Sequence, residues 1–127
     1  MDTNDKAKKD VEQAQLILLL HEGMIKFSNE GKDAIIAKDT VFAHDRLIRA
    51  QNIALELLYS IDRKKGGTIA ENLVMIYNHC YQLLVEANIK QDSSKIDDCN
   101  EVIKPLRNNW EKAVKTLSVA AGKDPDV

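Results

Sequence analysis

Apolar positions recur at three- and four-residue steps along four stretches of this chain, the spacing of one face of an α-helix. In the first stretch Leu16, Leu20, Gly23, Phe27, Gly31 and Ala34 fall in line. A second, from about Val41 to Ile61, carries Ala43, Leu47, Ala50, Ala54, Leu57 and Ile61. The third begins near Thr68 and carries Leu73, Ile76, Tyr77, Cys80, Leu84 and Ala87. The fourth carries Ile96, Cys99, Ile103, Leu106, Trp110, Ala113 and Leu117. No unit of fixed length repeats, so a solenoid is not supported.

The joints between these stretches carry turn and cap chemistry. Lys38-Asp39-Thr40 reads as a turn, with Asp39 or Thr40 capping the second helix. Arg63-Lys64-Lys65 suits the end of that helix, where the macrodipole favours cations, and Gly66-Gly67 then reverses the chain. Thr68-Ile69-Ala70-Glu71 matches a capping box. Gln91-Asp92-Ser93-Ser94 is a turn rich in capping oxygens. Pro105 either kinks the last helix or starts a new one; the apolar register runs on across it, which favours a kink. Four long helices with short connections predict an all-α, antiparallel up-down four-helix bundle. The bundle is expected over residues 11–120, between a loose N-terminal segment at 1–10 and a C-terminal tail at 121–127.

Composition narrows the function classes. The 127 residues suffice for one hydrophobic core, and sparse glycine and proline argue against an all-β domain. Eighteen basic and twenty acidic residues leave a formal charge of −2, and the one basic block is Arg63-Lys64-Lys65, so no nucleic-acid partner is expected. The longest apolar run, residues 16–20, is too short to span a bilayer and lacks the flanks of a secretory signal, so no membrane insertion is expected. Two cysteines, Cys80 and Cys99, give no disulfide framework, which fits a reducing cytosol.

Catalytic chemistry is hard to find. There is no phosphate-binding glycine loop. None of His21, His44 and His79 follows a carboxylate by three residues, so the Glu-x-x-His ligand pattern of di-iron bundles is absent. Neither cysteine has the cationic context that activates a thiolate, and both read as inert packing residues. No metal, cofactor or enzymatic activity is expected. His44, followed by Asp45 and Arg46 on a helix, leaves one alternative open: a phosphotransfer bundle with His44 as the phosphoryl acceptor.

Apolar residues also stand beside the main stripes. Ile48, Leu55 and Tyr59 do so on the second helix, and Val74, Tyr81 and Val85 on the third. Either they widen the core face, or they line a groove outside the core that receives a partner helix.

Several short runs resemble the flagellar secretion chaperone family, FliS. They are Gly66-Gly67-Thr68-Ile69-Ala70-Glu71-Asn72-Leu73, then Ile76-Tyr77, Leu84-x-x-Ala87-Asn88 and Leu106-Arg107-x-x-Trp110. Ala50-Gln51-x-Ile53-x-x-Glu56-Leu57-x-x-x-Ile61-Asp62 and Leu20-His21-Glu22-Gly23-x-Ile25-x-Phe27 are similar to the family's second and first helices. The likeness covers about residues 11–115. His21 stands where the family carries a tyrosine, and Gln15 near where it carries a proline.

The resemblance implies a bacterial, cytosolic chaperone that binds the disordered C-terminal segment of flagellin. Such a protein stops premature polymerisation and helps deliver its client to the flagellar type III export apparatus. It further implies structural roles for six motif residues. Gly66 and Gly67 reverse the chain, Asn72 and Asn88 bond to neighbouring helices, Arg107 pairs with a carboxylate of another helix, and Trp110 packs between the first and last helices. The client-binding groove is expected at Ile48, Leu55, Tyr59, Val74, Tyr81 and Val85.

Overall fold

The computed structural model describes residues 3–122, and the side chains from Asp5 on. It contains four helices, α1 (Thr3–Ile36), α2 (Thr40–Tyr59), α3 (Arg63–Lys90) and α4 (Ser93–Ala120), with no strand among the described residues. Each helix packs on two neighbours: α1 on α2 and α4, and α3 on α2 and α4. Every seam pairs rising with falling residue numbers. Gly31 meets Leu47 while Gly23 meets Ile53, and His44 meets Asn88 while Gln51 meets Leu84. The architecture is therefore an antiparallel up-down bundle.

The caps follow the expected chemistry at two joints. Asp39 Oδ1 accepts from Phe42 N–H at 3.1 Å and Asp92 Oδ1 from Ser94 N–H at 3.0 Å, each meeting a free donor of a helix start. The α2–α3 joint differs from its expectation. Helix α2 stops at Tyr59, and Asp62 caps a short helical turn that holds Arg63, Lys64 and Lys65. The basic block thus opens α3 and does not close α2, because a capping aspartate stands directly before it. The reversal falls at Gly67, whose φ of +54° a side chain would strain, and the long part of α3 follows.

Helix α1 departs further. It begins at Thr3, so residues 3–10, expected as a loose segment, are helical. They contain no glycine or proline, and they continue a helix anchored by the buried Val11. At the other end Ala121 and Gly122, the start of the tail expected at 121–127, form the turn that closes α4, and the rest of that tail, 123–127, lies outside the described residues.

The buried stripe of α1 is also turned from the expected one. It runs through Val11, Ile17, His21, Met24, Ser28, Gly31 and Ala34, whereas Leu16 is 48% exposed. The α2 stripe is as expected from Ala43 to Leu57, and Tyr77, Cys80, Leu84 and Ala87 of α3 are buried. Pro105 sits on the exposed side of an unbroken α4. Beyond it the buried positions are Val114 and Ser118, one residue after the expected Ala113 and Leu117. Gly31 has a packing reason: a Cβ there would come within 2.7 Å of the Leu47 side chain, so α1 and α2 meet closely at this point.

Candidate functional site

The six expected groove residues lie along one seam. His44, Ile48, Gln51, Leu55 and Tyr59 follow each other by three or four residues on α2, and Val74, Tyr81, Val85 and Asn88 do so, through Asn78, on α3. One contact joins these rows, and a second ties the α2 row to the core residue Leu84 beside the α3 row. Asn88 Nδ2 donates to His44 Nδ1 at 2.9 Å, and Gln51 Nε2 donates to the Leu84 carbonyl at 3.4 Å. The rows therefore run side by side on the α2–α3 face. Ile48 and Tyr59 are exposed, Tyr59 by 80%; Leu55, Val74, Tyr81 and Val85 are half-buried. Tyr81 also leans on the core. His44 is exposed at the end of this face.

A second apolar surface has no counterpart in the sequence reading. A cleft of about 330 Å³ opens where α1, the α2–α3 joint and α4 converge. Ile17, Ile61, Ile69, Leu73, Tyr77 and Trp110 supply most of its wall, and Asp62 and Lys65 stand at its rim. Ile69 was hidden by its place inside a capping motif. Gly66 also lines the cleft, and a Cβ there would overlap Ala70.

Behind the cleft lies a buried polar cluster. His21 is fully buried on α1, and its Nε2 is 2.7 Å from the Tyr77 hydroxyl on α3. The Trp110 indole meets the His21 ring edge-on at 5.4 Å, and its Nε1–H donates to the Ala14 carbonyl at 3.0 Å. Burial, with the nearby Arg107 charge, lowers the His21 pKa from 6.5 to about 4, so the ring is neutral at pH 7. Burial raises the Tyr77 pKa in turn, and its phenol stays protonated. His21 Nδ1 has no hydrogen-bond partner among the described residues.

The remaining motif residues divide. Arg107 donates to Glu22 of α1 at 3.0 Å and pairs with Glu111 one turn along its own helix. Asn88 joins α3 to α2 as described above. Asn72 is exposed and makes no hydrogen bond to another helix among the described residues. No group of three or more potential metal ligands occurs among the described residues. No helix among them is long and apolar enough to cross a membrane.

This bundle, with its motifs at the helix joints and along one seam, matches the family model "Flagellar protein FliS" over residues 2–117. The chain belongs to the FliS family. Three relatives bearing the name flagellar secretion chaperone FliS illustrate the spread. The Campylobacter jejuni protein is 31% identical over 106 residues, covering 84% of this chain and 83% of that protein. The Bacillus subtilis protein is 29% identical over 102 residues, covering 80% and 75%. A third, from Vibrio cholerae, is 28% identical over 98 residues, covering 77% and 72%. The match takes in most of every FliS chain compared, so the likeness is one of whole domains and supports an export-chaperone role.

Proposed function

We propose that this protein is a cytosolic chaperone that binds the disordered C-terminal segment of flagellin, prevents its premature polymerisation and assists its delivery to the flagellar type III export apparatus. The observation that carries this reading is the double row of half-exposed apolar side chains on the α2–α3 face of a FliS-family bundle. Ile48, Leu55 and Tyr59 form one bank, and Val74, Tyr81 and Val85 the other. A disordered segment entering as an amphipathic helix would bury its apolar face there, and folding on binding lets it cover a large surface. The cleft beside Trp110 offers the same client a further apolar anchor point. Such a role needs no reacting group. The comparisons lend no support to a phosphotransfer role for His44.

Calorimetric titration with a synthetic peptide of the flagellin C-terminal segment tests the proposal. Saturable binding with a negative heat-capacity change is the expected result. Ile48 is exposed, so Ile48→Asp leaves the bundle folded, and it is expected to weaken the peptide by about tenfold or more, roughly 1.4 kcal/mol. Unchanged affinity in a folded Ile48→Asp protein would move the client off this face. No binding by the unmodified protein would remove the proposal.

A further inference from the structure

The cleft beside Trp110 exists because α2 is short. Gly23 of α1 lies against Ile53, and α2 ends soon after, at Tyr59. In this antiparallel pair, α1 from about Ile17 back to its own start therefore runs on past the end of α2. Across the other seam Gln51 meets Leu84, so the part of α3 before about Ile76 runs on as well. Helix α4 accompanies them, since Trp110 bonds to Ala14. Three helices thus continue where the fourth has stopped. Ile17, Ile61, Ile69, Leu73 and Trp110 face the opening, and Ile69 is 73% exposed in it.

The opening suits a thin apolar chain. One turn of α-helix with its side chains fills roughly 400–600 Å³, more than the cleft's volume of about 330 Å³. An extended peptide would bring in N–H and C=O groups that the aliphatic wall cannot satisfy. Polar side chains stand at the rim, and part of that rim is already engaged. The Ser60 hydroxyl donates to the Leu57 carbonyl, and Asp62 Oδ1 accepts from the Lys64 and Lys65 N–H groups. An alkyl chain makes no such demands and gains by burying its surface.

The rim also selects the head group. Arg63, Lys64 and Lys65 set three exposed cations beside Asp62, and Lys65 lines the cleft itself. None of the three makes a side-chain ion pair among the described residues. The Gln13 amide stands at the same mouth. A carboxylate there would meet the Lys65 ammonium and the Gln13 amide, whereas a cationic head group would be repelled.

We propose that this cleft binds a free fatty acid, with its alkyl chain against Ile17, Ile69 and Trp110 and its carboxylate at Lys65. The site stands on residues outside the α2–α3 rows, so a ligand can occupy it whether or not a client lies on that face.

Dodecanoate titrated into the full chain, below its micellar concentration, tests the proposal. Trp110 is the chain's one tryptophan, so its fluorescence reports the cleft directly. A saturable change with unaltered helical circular dichroism is the expected result. Dodecyltrimethylammonium, with the same alkyl chain, should bind about tenfold more weakly or worse. Lys65 is exposed, so Lys65→Glu keeps the fold; it should weaken dodecanoate by about tenfold and leave dodecanol unchanged. Ile69→Asp, also at an exposed position, should weaken both. No saturable response from the unmodified protein would overturn the proposal. So would equal affinity for the two charged head groups, or unchanged dodecanoate affinity in either folded variant. A response that appears only with loss of helix would mark a detergent effect and overturn it too.

Discussion

The α2–α3 and α1–α4 seams do the same mechanical job by opposite means. Between α2 and α3 the buried residues are mostly apolar, with Ala50, Ala54, Leu57, Leu84 and Ala87 all fully buried and Gln51 the polar exception. Among the described residues two side-chain hydrogen bonds join these helices, one of them exposed and the other 3.4 Å long. Between α1 and α4 a ladder of polar side chains runs the length of the seam. Trp110 bonds to Ala14, Arg107 to Glu22, Asn100 to Asn29 and Asp97 to Lys32. Apolar burial gives adhesion with little directional preference, whereas each rung of the ladder requires one partner at one height. The first seam leaves apolar residues at its outer edge for a client; the second spends its outer edge on internal pairing.

Trp110→Ala should separate the two seams most sharply. It removes the indole from His21 and its bond to the Ala14 carbonyl, at a cost of about 3 kcal/mol for a half-buried tryptophan, measured by urea unfolding. A loss under about 1 kcal/mol would mean that the ladder contributes little. The next effect is on pH. His21 has a folded pKa of about 4 against 6.5 for the unfolded side chain. Between these values the unfolded chain holds the extra proton, so stability is full above pH 6.5 and falls as the pH drops towards 4. The total loss is on the order of 2–3 kcal/mol. His21→Phe should flatten that slope when unfolding is followed between pH 7 and 4, and an unaltered slope would assign the acid sensitivity elsewhere. The smallest effect belongs to the apolar seam. Asn88→Ala removes an exposed bond to His44 and should cost about 0.5 kcal/mol or less. A larger loss would show that the α2–α3 seam depends on directional bonds after all.

The same contrast explains what was legible in the sequence. The α2 stripe could be read residue by residue because its buried face is apolar apart from Gln51. On α1 the buried face carries His21 and Ser28, while Leu16 and Leu19 look outward. Hydrophobicity alone therefore selects the wrong side of that helix. Ser28 is satisfied locally, by donating to the Met24 carbonyl at 2.6 Å, and His21 only by Tyr77, 56 positions away. Partners that distant leave no periodic trace. The rows at Ile48 and Val74 were visible as a second stripe beside the first. The cleft was invisible because three separate elements and a glycine turn must meet to make it.

The rungs of the α1–α4 ladder join residues 65 to 96 positions apart. A chain emerging from the ribosome therefore has α1, α2 and α3 in hand well before any rung can form. Until α4 follows, Glu22, Asn29 and Lys32 of α1 lack their partners, and no indole lies against His21. The fourth helix is the bolt of this bundle. A nascent chain stalled before residue 97 would carry three helices and no rung of the ladder.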